Sequence, residues 1–345
     1  MNGFIRGIMG TFLAVSVVLI FGAMDRAFPK EIVLKYANFP PAPTFPCVQM
    51  ERWKKVVEER THGKVKIKTF PGSTLLGAKN MMDGVIDGIA EIGCVVLPYQ
   101  PGRFPLMAGV DLPVGFTNSK VANMVLFDLY KKYDPSSLKK VKVLTLFTAP
   151  PADIMSMKPI EKLSDLKGYE LRCTGAGVRP LALLGAKPVA MPMSETPSAL
   201  QKGIVKGIFS SLEILKDFRF ADYCKYATIC HMQTATFAVV MNKSTWDGLP
   251  EDVKEVMDSI AREHSFWTGK YVDDHVKEAV EWSKKEKGLT LIRLPKEEYD
   301  LWHRKVQPII DEWLANTSKK GLPAKEFLDD LLRLKAKYER EFGAL

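Results

Sequence analysis

Hydrophobic and polar positions along this chain fall into two alternating periods. Lys64-Val65-Lys66-Ile67-Lys68-Thr69-Phe70 alternates with period two, the mark of a half-buried strand. The runs Ile32–Ala37 and Ala90–Leu97 are short and apolar, which fits strands covered on both faces. Between them, Met50, Trp53, Val56 and Val57 recur at helical spacing and predict a helix over Val48–Arg60, preceded by a proline-rich loop through Pro46. Ala78–Ile86 reads as a second helix, ended by Gly88. The chain thus opens β-α-β-α-β, which predicts a parallel or mixed sheet with helices on its faces.

A helix over Ser119–Tyr133 and a strand over Val141–Phe147 follow, and the rhythm then breaks across Thr148–Pro159. It resumes with strands at Tyr169–Cys173, Pro188–Met191 and Ile204–Phe209, and helices at Val178–Leu184 and from Thr196. Thr234–Met241 is a long β-run, and from Pro250 the pattern is helical to the end apart from Leu289–Leu294. Two βα series joined by more than one crossing predict an α/β fold of two lobes. It would have mixed sheets, hinge strands near Pro150 and Thr234, and a helical C-terminal region. The expected boundaries are lobe I over 30–151 with a return over 234–269, lobe II over 152–233, and 270–345 mainly with lobe II. Such folds hold a ligand in the cleft, at the C-terminal ends of strands.

The first 29 residues change the picture. Arg6 is followed by an uncharged, mainly apolar run from Gly7 to Met24, with small residues at Gly22 and Ala23. This reads as an export signal with cleavage between Gly22 and Pro29, and hence a periplasmic location; an uncleaved anchor is the alternative. No cysteine lies at the junction, so no lipid is attached there. The five cysteines (Cys47, Cys94, Cys173, Cys224, Cys230) are too few and odd in number for a disulfide framework. The histidines show no metal-ligand spacing, so no metal or other cofactor is expected. The net charge of +9 comes without basic clusters interleaved with aromatics, which excludes nucleic acid as a partner. Nor is there a GxSxG elbow or other nucleophile spacing. Even so, this much leaves both a binding protein and a secreted hydrolase open.

Several segments narrow the choice by their order and spacing: Phe70-Pro71-Gly72-Ser73-Thr74-Leu75-Leu76-Gly77, Asp83-Gly84-Val85-Ile86-Asp87-Gly88, Leu166-Lys167-Gly168-Tyr169-Glu170-Leu171-Arg172, Leu184 through Glu195, Ala199 through Gly207, and Asn242 through Pro250. Together, over about Ile32–Lys337, the sequence resembles the DctP-type solute-binding proteins of TRAP transporters. The resemblance implies a non-enzymatic, monomeric receptor that captures a small carboxylate and hands it to the transporter's membrane subunits. A sensor that reports to a membrane receptor would share the fold.

The resemblance also implies a site. Its principal ligand partner, the arginine of the LKGxxxR block, falls on Arg172, whose planar fork suits a carboxylate. At the other stations this sequence departs from its relatives. Phe39 stands where a polar residue is common, and Val96 and Tyr99 replace ionised groups. A second arginine found in some relatives falls near Ala152. Met193 is the apolar station of MPxSE, and Ser210 replaces the asparagine of DGxxN, with Ser211 and Glu213 beside it. One cation among mostly apolar neighbours predicts a monocarboxylate with an apolar or aromatic body. Arg179 and Arg103 are the candidates for a missed second cation.

Overall fold

The computed structural model describes residues 31–343; the expected export signal lies outside them. The strands, in order along the sequence, are β1 (Ile32–Ala37), β2 (Val65–Phe70), β3 (Ile92–Val96), β4 (Val141–Thr148), β5 (Asp153–Ser156) and β6 (Glu170–Cys173). They continue as β7 (Lys187–Ala190), β8 (Gly207–Ser210), β9 (Tyr226–Ile229), β10 (Thr236–Asn242) and β11 (Thr290–Arg293). The helices are α1 (Phe45–Arg60), α2 (Met81–Ile86), α3 (Ser119–Tyr133), α4 (Val178–Leu183), α5 (Thr196–Gln201) and α6 (Ile214–Asp217). After them come α7 (Lys243–Asp247), α8 (Glu251–Lys287), α9 (Lys296–Val306), α10 (Pro308–Ser318) and α11 (Ala324–Phe342).

These strands form two sheets, which gives the fold its two lobes. The first runs β2-β1-β3-β10-β4 and the second β11-β9-β5-β8-β6-β7. Both are mixed: β10 lies antiparallel between β3 and β4, and β5 antiparallel between β8 and β9. The backbone leaves the first sheet after β4 and returns to it at β10. The two crossing segments run side by side, joined by Ala149 N–H to Ala235 O at 2.9 Å, Ala152 N–H to Gln233 O at 2.7 Å and Met232 N–H to Ala152 O at 3.1 Å.

α1 begins earlier than the proline-rich segment suggests. Pro46 sits in the first helical turn, where a missing N–H costs nothing, so Phe45 already belongs to the helix. α3 matches its expected bounds, and the Asn118 side-chain oxygen caps it by accepting from Val121 N–H.

Trp53, Met50, Phe147 and Val239 are among the fully buried side chains of the larger core; Leu171, Leu181, Trp302 and Ile154 are among those of the smaller one, in the second lobe. The C-terminal helices divide between the lobes, which corrects their assignment mainly to lobe II. α9 buries Trp302 and Val306 in the smaller core. α11 instead buries Phe327, Leu331 and Tyr338 in the larger one, packed on α3. Its amphipathic stripe matches the apolar face of α3, and a link from Lys132 and Tyr133 to Asp330 fixes it there. No helix among the described residues is long and apolar enough to cross a membrane. All five cysteines are buried and unpaired.

Candidate functional site

The site forms where strand ends of the two sheets face each other. Val96 is the last residue of β3 and Ser210 the last of β8, while Arg172 is next to last in β6. β6 and β8 run parallel, with Arg172 beside Ile208, so their C-terminal ends open on the same side. Tyr99 follows β3 in a tight turn over Leu97–Tyr99, and Met193 opens another after β7.

A cleft of about 490 Å³, partly open to solvent, lies between them. All eight residues expected at the site line it. Phe39, Val96 and Tyr99 come from the side of the first sheet; Arg172, Met193, Ser210, Ser211 and Glu213 come from the side of the second. Sequence reasoning missed Thr44, Phe45, Thr174, Phe218 and Phe237, which line it too. Phe237 pairs in register with Val96 across the antiparallel β10–β3 ladder, so its place depends on a strand insertion that periodicity does not show. Phe45 was hidden by reading its segment as loop.

The aromatic residues form two clusters, one of Phe45, Phe147 and Phe237 and one of Phe39 and Tyr99. Phe237 stacks on Phe147 at 4.9 Å, Phe45 meets Phe237 edge-on at 5.8 Å, and Phe39 meets Tyr99 edge-on at 5.7 Å.

Arg172 is fully buried. Its Nε and Nη2 donate to the Met191 carbonyl at 3.0 and 2.7 Å, and Nη2 also donates to Tyr99 Oη at 3.1 Å. Nη1 is buried and has no hydrogen-bond partner among the described residues. Tyr99 Oη accepts a second bond, from Met193 N–H at 3.0 Å. With both lone pairs engaged, its own proton must point elsewhere. The guanidinium is thus held rigidly from one side and presents its remaining donors to the cavity.

Glu213 is the only acid among the described residues that line the cavity. Ser211 Oγ donates to its Oε1 at 2.6 Å, and its Oε2 is buried without a partner among the described residues. Burial pushes its carboxyl up to about 7; the Ser211 hydrogen bond opposes that rise, and nearby Asp217 adds to it. Glu213 makes no ion pair with Arg172 among the described residues. The two buried groups therefore share the cavity without contact.

The other candidate cations are engaged elsewhere. Arg179 pairs with Glu312, and Arg103 donates to Asp83 at 2.7 Å. Neither lines the cavity. Cys94 is core. Among the described residues no group of His, Cys, Asp and Glu is placed to hold a metal ion.

Residues 40–317 match the DctP family, bacterial extracellular solute-binding protein family 7. A TRAP periplasmic solute-binding protein from Desulfovibrio salexigens, an open complex with the C-terminus of a symmetry mate in its ligand-binding site, is 49% identical. The match covers 91% of this protein and 99% of that one, with a TM-score of 0.82. A marine metagenome TRAP solute-binding protein specific for aromatic acid ligands, in complex with 3-hydroxybenzoate, is 27% identical over 90% of this protein and 99% of its own length, with a TM-score of 0.85. The 2,3-diketo-L-gulonate-binding periplasmic protein YiaO of Escherichia coli is 25% identical over 71% of this protein and 76% of its own length. The fold, the cavity and these likenesses agree, and the chain belongs to the DctP family of TRAP-transporter solute-binding proteins.

Proposed function

We propose that this solute-binding protein captures a monocarboxylate with an apolar or aromatic body between its lobes and delivers it to the membrane subunits of its transporter. The reading rests on Arg172, a buried guanidinium whose Nη1 has no partner among the described residues, set in a cavity walled by Phe39, Phe45, Phe218 and Phe237. With Nε and Nη2 bonded to Met191 and Tyr99, the N–H groups of Nη1 are left for one carboxylate, and charge-assisted bonds of this kind are the strong ones. A ring that buries about 150 Å² against the wall gains roughly 4 kcal/mol. A second carboxylate or a row of hydroxyls would instead meet apolar side chains, at about 1–3 kcal/mol for each stranded group.

One relative supports this class: the marine metagenome protein is specific for aromatic acid ligands. YiaO, by its name, takes a sugar acid, and the aromatic wall argues for a departure from it.

Substitution at Arg172 tests the reading. Arg172→Ala is expected to weaken binding of an aryl-acetate at least a hundredfold, about 2.7 kcal/mol, by calorimetric titration. Arg172→Lys should also bind poorly, because one ammonium cannot keep the bonds to Met191 and Tyr99 and still present a donor to the ligand. Near-native affinity in either variant would remove Arg172 as the anchor.

A further inference from the structure

The same cavity holds a second buried polar group that a bare monocarboxylate would not engage. Glu213 is 1% exposed, its Oε1 is occupied by Ser211, and its Oε2 has no partner among the described residues. Arg172 Nη1 is orphaned in the same way, yet the two side chains make no ion pair with each other. A buried carboxylate oxygen without a donor is costly, and apolar ligand surface packed against it would make the cost permanent. No described lining group bonds to it: Phe218 and Ile214 are apolar, the Ser211 hydroxyl proton is committed to Oε1, and the hydroxyls of Thr44, Thr174 and Ser210 make no bond to Oε2.

We infer that the ligand carries, besides the carboxylate that meets Arg172, a hydrogen-bond donor separated from it by its apolar body, and that Glu213 Oε2 accepts from that donor. This inference rests on the monocarboxylate reading and makes Glu213 a specificity determinant within it. The donor is a ring N–H, a phenolic hydroxyl or an amine, the groups an aromatic acid can present at a distance from its carboxylate. An elevated carboxyl such as this one still ionises near neutrality, and a donor bonded to Oε2 favours the ionised form. The group therefore selects for a donor and against an isosteric ether or N-methyl compound. Such a compound would leave Oε2 stranded and bring its own lone pair or methyl against it.

The test is a set of matched probes titrated calorimetrically: indole-3-acetate against 1-methylindole-3-acetate, 3- and 4-hydroxyphenylacetate against their methoxy forms, and 4-aminophenylacetate against 4-(dimethylamino)phenylacetate. At least one donor-bearing probe should bind about tenfold or more tighter than its counterpart, the discrimination of one buried hydrogen bond. Glu213→Met, which keeps the length but removes the acceptor, should reduce that ratio to within about threefold. Glu213→Gln, which keeps an acceptor oxygen, should preserve part of it.

Equal binding of every pair by the native protein would overturn the role of Glu213 while leaving the aromatic monocarboxylate reading intact. A ratio that survives in Glu213→Met would also overturn it, because the discrimination would then be steric. Failure of every aromatic probe to bind would overturn both.

Discussion

Single side chains carry most of the chemistry in this molecule, and Tyr99 shows how. Its hydroxyl joins the lobes by accepting from Arg172 on one strand end and from Met193 N–H on the turn after β7. Tyr99→Phe would leave both donors short of a partner while keeping the ring against Phe39. Ligand affinity should fall about tenfold in calorimetry, with the fold retained.

Glu213 gives a pH prediction. Its folded pKa lies above the ordinary carboxylate value, so between about 4.5 and 7 the folded protein binds more protons than the unfolded one. Stability from this group is therefore largest in acid and is lost as pH rises through about 7. Asp111, pushed up to about 8 by burial, acts in the same direction. His264, held near 3 by burial and Arg52, acts in the opposite one, losing stability as pH falls below 6.5. A difference measurement isolates Glu213: the stability gained by Glu213→Gln in the unliganded protein should grow between pH 5 and 8. A gain independent of pH would contradict the assigned shift. Of the site itself, Arg172 was legible because its LKGxxxR block is distinctive. Phe237 was not, because nothing in a β-run states which neighbour it will pair with.

At the scale of elements, long periodic segments were readable, and of the four-residue strands β6, β7, β8 and β11 were placed while β5 and β9 were not. α3 declared both its ends, and β2 its alternation. β5 and β9 carry too few residues for a period to show, although they set the second sheet's mixed topology. α11 was readable as a helix but not as a piece of the first lobe, because its apolar stripe fits any apolar partner until α3 is in place. β8 shows how tightly the site's strands are set. A Cβ at Gly207 would lie 2.5 Å from the Met155 carbonyl oxygen and 2.8 Å from Leu171 Cδ2, so only glycine lets β8 lie between β5 and β6. Gly207→Ala should cost about 2 kcal/mol in denaturant unfolding. Because Ser210 and Arg172 sit on the strands it would push apart, ligand affinity should fall as well. A variant of native stability would mean that the strands have slack.

Across the whole molecule, the proposed function requires two lobes that meet over the ligand. At one cross-lobe contact a Cβ on Gly175 would lie 2.9 Å from the Pro98 carbonyl oxygen. Gly175→Val should therefore hold the lobes apart. The expected outcome is weaker ligand binding and a smaller ligand-induced contraction in solution X-ray scattering, with the unliganded protein's stability nearly unchanged. An unaltered contraction would show that the lobes do not close at this point.

The central claim, that the cavity is built for one carboxylate on an apolar or aromatic body, is tested most directly by calorimetric competition among acids of similar size. Aryl-acetates, aryl-pyruvates and branched oxo acids should rank above succinate, malate and hexuronates, by at least tenfold if even one polar group of the latter is stranded against the aromatic wall. A clear preference for succinate or a hexuronate would contradict the account. It would mean that a second cation reaches the ligand from outside the walls described.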